Sequence, residues 1–319
     1  MSQPTPQDVH IDMALTDFSV AYVQDEGNFI ATQVFPRKPV PHMTNKFFIF
    51  NKNDWLRDDA MKIRAPGEPA PRSGFTLSTD SYDAQPYWTE VPLSDMVQKN
   101  ADPSLPLDQA ATRLVTQRAL IKFDRLFVSK AFATGKWGTD YVAGTDFTAW
   151  DDYASDPQKD IDTAQALILK NTGREPNCLT VGYRVHKALK RHPIIKDMYK
   201  YTSSESITEA MLAQALELDK YVVAKSSYAT NAEGGTAAYD FIAGQNALLS
   251  YNDGSPSIME PCAGATFAWT DLTAVNSAGV AIDRYYDVKT KDDCVRGQFA
   301  FDIKITGSDL GAFFSNAAS

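Results

Sequence analysis

Histidine and cysteine are scarce in this chain of 319 residues, which has four of one and three of the other. Cys178, Cys262 and Cys294 lie far apart and in no metal-ligand spacing, so reduced, structural thiols are expected. His186 and His192 flank one helical stretch, but no acidic or cysteine neighbours complete a metal set, and HExxH is missing. Surface or capping roles are expected for them. The Walker loop, GxGxxG and GxSxG are missing too, which removes the usual phosphate cradles and the nucleophile elbow. The carboxylates of TAWDDY and KTKDDC could be drawn as an acid/base pair, yet nothing nearby supplies a nucleophile or an oxyanion donor. No enzyme, metal site or cofactor is expected. No apolar run reaches the ~18 residues of a membrane span, and the stretch MSQPTPQDVHID does not read as a signal peptide. A soluble protein with no membrane partner is expected. The formal net charge of −9 argues against a surface that grips nucleic acid all over, and leaves room only for a local basic strip.

What the chain does have is one long uninterrupted stretch, LDQAATRLVTQRALIKFDRLFVSKAFAT, between Pro106 and Gly135. Proline suits a first helical turn and glycine a position just past the end. If helical throughout, the stretch spans roughly 40 Å at about 1.5 Å per residue. Leu107, Ala110, Ala111, Leu114 and Val115 share a face at its start. Ile121, Phe123, Leu126, Phe127, Val128, Ala131 and Phe132 spread round more of the circumference. Such a helix is a beam covered on several sides. Arg118, Lys122 and Arg125 fall at i, i+4, i+7 and make one face basic. That face is either simply solvated or turned toward phosphate or an acidic neighbour.

Ahead of the beam the chain looks unlike a packed domain. Residues 1–42 carry Pro4, Pro6, Pro36, Pro39 and Pro41, and VFPRKPVP can be neither helix nor central strand. A short helix is expected around Asp12–Gln24. Val20, Tyr22, Val23, Phe29, Ile30, Val34 and Phe35 are more apolar than a disordered tail requires. An arm so anchored needs another surface, which another subunit could supply. From 43 to 92, the strand KFFIFN and a second extended arm through Phe75, Leu77 and Thr79 flank a Pro/Gly-rich, mixed-charge tip: a long hairpin. A loop of that length without its own core is uncommon unless functional.

Behind the beam, helix and strand signals alternate from 157 to 265. PQKDIDTAQALILKNTG is an amphipathic helix with Asp156 or Ser155 as cap, Ile161, Ala164, Leu167 and Ile168 inward, and Gly173 at its end. NCLTVG is a buried strand, and YRVHKALKRHP a helix closed by Pro193, after which IIKDMYKY runs on toward a turn. SITEAMLAQALELD is a third helix, capped by Ser206 with Glu209 completing a capping box. YVVAKSSYAT is a strand, NAEGG a turn, and further strands follow. GVAIDRYYDVKT and DDCVRGQFAFDIKITG are then two long strands turning at Lys291, closed by the apolar SDLGAFFSNA. These strands suit the beam, so the unit holding it is built from two separated pieces of chain with an α/β unit inserted between them.

That order of parts resembles the major capsid proteins of tailed phages, of the Hong Kong 97 type. The resemblance is carried by VFPRKPVPHMTNKFFIFNKNDWLRDDA, APGEPAP, the beam, PNCLTVGYRVHKALKRHPII and RGQFAFDIKITGSDLGAFF, and covers nearly the whole chain. It implies an α+β fold with an N-terminal arm (1–42), an extended loop (43–92), a peripheral domain with a spine helix (93–156 and 266–319) and an inserted axial α/β domain (157–265). It implies hexamers and pentamers tiling an icosahedral shell around packaged double-stranded DNA, in a virion made in a bacterial host's cytoplasm. Trp55, Leu56, Arg57, Arg64 and Arg72 of the hairpin would contact a neighbouring subunit. Arg118, Lys122 and Arg125 would face the interior, and Asn231, Glu233, Gly234 and Gly235 would sit at the capsomer centre. The arm begins almost at once, so a separate scaffolding protein is expected, along with a portal and room for a decoration protein. No motif singles out Lys46, Lys52 or Lys62 for the covalent cross-link some relatives make, and none is expected. A nanocompartment shell of the encapsulin type is the alternative on the same fold.

Overall fold

The computed structural model describes residues 23–59, 61–64, 66–67, 69–70, 72–101, 106–199, 207–232, 234–254, 260–272 and 279–318. A one-turn helix, α1 (Ala31–Val34), and β1 (Arg37–Val40) come first, followed by the hairpin of β2 (Thr44–Phe50) and β3 (Leu77–Asp83). A second one-turn helix, α2 (Lys52–Trp55), lies at the hairpin's far end. β4 (Gln85–Ser94) and α3 (Asp95–Asn100) then lead to the spine helix α4 (Leu107–Ala131). β5 (Thr139–Val142) and α5 (Pro157–Thr172) precede β6 (Cys178–Gly182), α6 (Tyr183–Arg191), α7 (Pro193–Tyr199) and α8 (Glu209–Ala215). After β7 (Lys220–Ala224), β8 (Ser227–Ala229), β9 (Tyr239–Phe241) and β10 (Ala247–Ser250) come the strands β11 (Gly264–Trp269), β12 (Ala281–Asp287), β13 (Asp292–Ile305) and β14 (Gly311–Ser315).

Burial along α4 follows a ladder of fours: Ala111, Val115, Ala119, Phe123, Phe127 and Ala131. Each step of four advances about 40° beyond a full turn, so the buried ridge winds round the helix. Ala110 and Leu114, expected inward, are therefore exposed. The helix also stops three residues short of the expected Thr134. Phe132 leaves helical geometry to pack on Phe127 and Phe313, and the Trp137 indole donates to the Ala131 carbonyl at 2.6 Å. Gly135 serves the turn beyond, with φ +75°.

β13 is the axis of the first sheet. Its first half pairs with β12 on one flank and β4 on the other, while its second half pairs with β11, whose far edge takes β1 in parallel. Val295, Gly297, Phe299, Phe301 and Ile303 alternate toward α4, where Phe123 meets Phe301 edge-on at 4.5 Å. β1 contains Pro39 and lies at the sheet edge, where a missing N–H does least harm.

The second sheet has the order β5-β14-β10-β6-β7 and is buried on both faces. Leu179, Val181, Val223, Leu249 and Phe314 meet the helices through Ile161, Ile168, Val185, Leu189 and Leu212. Cys178, Val222, Leu248 and Phe313 meet the cluster around Phe127 and Trp137. That explains the unbroken apolar strands. The sheet does not respect the expected boundaries at 157 and 265, because β5 comes from before the insertion and β14 from after it.

Other details differ from expectation. Phe29, Ile30, Val34 and Phe35 need no second subunit: they are buried on the same chain, Phe35 lying edge-on to Phe127 at 5.0 Å. Asp156, not Ser155, caps α5 by accepting from the Lys159 N–H. Thr208 caps α8 through the Met211 N–H; Ser206 lies outside the described residues, as does nearly all of the helix expected around Asp12–Gln24. The stretch after His192 forms α7, which starts at Pro193 because a first helical turn tolerates proline. His186 and His192 are both buried rather than at the surface; His192 ends α6, and His186 Nδ1 lies 3.2 Å from the Tyr221 hydroxyl.

Candidate functional site

The hairpin is rooted firmly and capped loosely. At its base Phe47 and Tyr82 stack on Phe267 of β11, at 5.3 and 4.6 Å. At its far end Asn51 caps α2, and Asp54 accepts from the Thr76 hydroxyl and N–H at 2.6 and 2.7 Å. Those two bonds hold the Asp54 carboxyl below its ordinary range. Phe50 meets Trp55 edge-on at 6.0 Å and Phe75 at a tilt at 6.2 Å. Trp55 remains 58% exposed and Met61 89%, and Phe48, Leu56, Ile63, Phe75 and Leu77 are also exposed. Arg57, Arg64 and Arg72 are exposed beside them. Lys52 forms an ion pair with Asp309, which ties the hairpin to the turn before β14. Among the described residues this limb of mixed charge thus leaves a run of large apolar side chains exposed.

Arg118, Lys122 and Arg125 are exposed along one side of α4. Lys122 sits 5.5 Å above the Tyr87 ring and Arg125 sits 4.5 Å above Tyr228. Two of these cations are thus steered by aromatic faces rather than by carboxylates. Asn231 organises the turn between β8 and β9: its amide donates to the Ala232 and Gly235 carbonyls and its oxygen accepts from the Ala238 N–H. Gly234 takes φ +82°, which favours glycine. Glu233 lies outside the described residues.

One cluster escaped sequence reasoning. On the face of the first sheet away from α4, the Arg296 guanidinium lies 5.2 Å from Trp88 and 5.3 Å from Tyr285, and ion-pairs with Asp283. Tyr285 donates to Glu90 at 2.8 Å, and that bond pushes its hydroxyl up to about 12. The residues come from three strands and meet only through register, so no local pattern announces them.

Among the described residues, no three His, Cys, Asp or Glu side chains converge as metal ligands, and no helix is long and apolar enough to cross a membrane. No protein-family model matches the chain. The major capsid protein of Burkholderia phage BcepMu is 23% identical over 249 residues, 76% of each sequence. A phage-related protein from Bordetella bronchiseptica RB50 superposes with a TM-score of 0.70 at 24% identity, over 92% of this chain and 93% of that one. The capsid structure of cyanophage P-SCSP1u superposes at 0.61 with 11% identity, over 97% and 93%. The fold is therefore the Hong Kong 97-type fold of tailed-phage capsids.

Proposed function

We propose that this chain is the major capsid protein of a tailed bacteriophage, assembling into hexamers and pentamers that form an icosahedral head around double-stranded DNA. The observation that carries this reading is the uncovered apolar row on the hairpin, Phe48, Trp55, Leu56, Met61, Ile63 and Phe75, on a fold shared with phage capsids. Covering each large side chain contributes about 1.5–3 kcal/mol. Association costs an estimated 4–15 kcal/mol or more, so no single anchor suffices and the row acts together. In this reading residues 1–42 are the arm, 43–92 the extended loop, 93–156 with 266–319 the peripheral domain and 157–265 the axial domain, whose sheet takes in β5 and β14 from the flanking pieces. Trp55, Leu56, Arg57, Arg64 and Arg72 dock on a neighbouring copy. Arg118, Lys122 and Arg125 face the interior and touch DNA weakly and without sequence preference. Asn231, Glu233, Gly234 and Gly235 lie near the capsomer axis. Its role is structural rather than catalytic, and its place is the virion. Scaffolding, portal and any decoration protein are separate chains, and no covalent cross-link joins the copies.

Expression of the full chain followed by electron microscopy and light scattering tests this. Closed shells or capsomers are expected; a protein that stays monomeric under all conditions overturns it. Nucleic acid inside isolated particles supports the phage head, whereas an enclosed enzyme identifies a nanocompartment. Boiling in denaturant should give one band on a gel, and a ladder of multimers would contradict the absence of cross-links.

A further inference from the structure

Charge is sorted along the chain around the second sheet. Between Asp140 and Asp162 seven aspartates stand against the single base Lys159, whereas from Arg184 to Asp197 five bases stand against the single acid Asp197. Arg184, Lys187 and Arg191 share one side of α6, since each residue turns the helix by about 100°, and Lys190 borders them. Val185, His186 and Leu189 occupy the opposite side and are buried. Arg184, Arg191 and Lys196 are exposed, and Lys187 and Lys190 are half-buried. The described partners of this row are neutral: Lys187 Nζ lies 5.1 Å above the Tyr183 ring, and Arg184 Nη1 lies 2.9 Å from the Gln245 amide. Among the described residues no carboxylate forms an ion pair with any of the five cations.

The local bonds of the aspartates ask for an acceptor, not for a charge. Asp146 accepts from the Val142 N–H at 2.9 Å, Asp152 from the Ala154 N–H at 3.0 Å and Asp156 from the Lys159 N–H at 3.1 Å. Asparagine serves such turns and caps equally well. Asp146, Asp152, Asp156 and Asp162 are exposed. Burial first, and then the charges of Glu217 and Asp156, raise the proton affinity of Asp162. The run therefore keeps an excess of like charge that its own turns do not require. The two runs lie toward opposite margins of the sheet. The acidic one is fastened beside β5 and β14, through the Ala143 N–H to the Ser315 carbonyl and the Trp150 N–H to the Ala317 carbonyl. α6 packs on β6 and β7. The strand order puts β5 and β7 about 19 Å apart. The runs approach each other where His192 Nε2 lies 3.3 Å from the Ser155 hydroxyl, and Arg184 stands roughly 12 Å from His192 along α6.

We propose that the cationic row of α6 docks on the acidic run of a second copy, so that identical copies meet side by side, residues 184–196 of one against 146–162 of the next. This deepens the shell reading above and rests on it. Two different surfaces of one chain that complement each other make a heterologous contact, and such a contact repeated by rotation closes a ring. Exposed charge pairs are individually weak, so a matched row acts on encounter rate and register more than on affinity. The apolar hairpin then supplies hold, and the α6 row supplies orientation. A free polyanion fits the row less well, because the aspartate run reaches its His192 end and the chain's formal charge is −9.

Light scattering of purified full-length chains at low ionic strength, where surface charge is least screened, tests it. Lys187→Glu with Lys190→Glu and Arg191→Glu should slow assembly at least about tenfold relative to the wild type. Asp146→Asn, Asp152→Asn and Asp156→Asn together keep the local bonds and remove the charge. In that background the same α6 reversal should cost at most about threefold, because its repulsive partner has gone. Should the Glu variant fail to fold, Gln at the same three positions replaces it, and its effect should likewise shrink in the Asn background. Equal slowing in both backgrounds overturns the proposal, and so does an α6 reversal that assembles at the wild-type rate; in either case the wild type still forms shells and the capsid reading survives. A reversal that lowers bound nucleic acid without slowing assembly also overturns it, and gives the row to a polyanion. A wild type that never assembles defeats the capsid reading and this contact with it.

Discussion

Gly297 lies directly beneath Val115: a Cβ placed on that glycine would come 2.2 Å from Val115 Cγ1. The spine helix and β13 touch at backbone distance there, and the small residues Ala111 and Ala119 flank the contact one turn away on each side. Gly297→Ala should therefore push the helix off the sheet and destabilise the chain by about 1–3 kcal/mol, as overpacking does. Chemical denaturation measures it. Adding Val115→Ala should recover part of the loss, and a neutral Gly297→Ala would show that the contact yields freely.

Trp55 has little to lose within its own copy, being more than half exposed with one edge on Phe50. Trp55→Ala should leave the unfolding midpoint nearly unchanged while particle yield falls steeply, because aromatic anchors dominate interface energies. Equal effects on folding and assembly would remove the docking role.

Reversal of the basic strip, with Glu at Arg118, Lys122 and Arg125 together, should lower the DNA content or the yield of particles while the monomer stays soluble. A modest stability loss, about 0.5–1 kcal/mol, is expected from breaking the Arg125–Tyr228 contact alone. Particles with unchanged yield and DNA content would place this face away from the genome.

His186 supplies an acid-side weakness. Burial, first, and then Lys187, Lys190 and Lys225 lower its proton affinity, while Glu209 works the other way. A neutral ring is thus favoured in the folded state. Its stabilisation is present above the ordinary imidazole range and lost as pH falls through the lowered value. His186→Asn, whose amide reaches the place of Nδ1 and does not titrate, should flatten the decline in thermal midpoint between neutral pH and about pH 5. An unchanged slope would assign that decline to other groups.

The spine helix, the hairpin and the alternating insertion were legible because each rests on local chemistry: an unbroken run of helix formers, a Pro/Gly tip, and the Asp156 and Gly173 ends of α5. Partner identity was less visible. Phe29 and Phe35 announced an apolar arm, but nothing in their neighbourhood says whether the matching surface is Phe127 of the same copy or a patch on another. SDLGAFFSNA read as an apolar tail, and its seat between β5 and β10 is a long-range choice with no local signature. The Trp88–Arg296–Tyr285 stack was invisible for the same reason, since register decides it.

The seat of β14 also sets a timetable. A ribosome that has made everything through β13 has not yet supplied the strand that joins β5 to β10, so the edge strand β5 waits, unjoined to the other three, for Gly311–Ser315. Closure of this sheet thus follows the synthesis of β14. Products cut short before Gly311 should be cleared as unfinished chains rather than persist as competitors of the whole one.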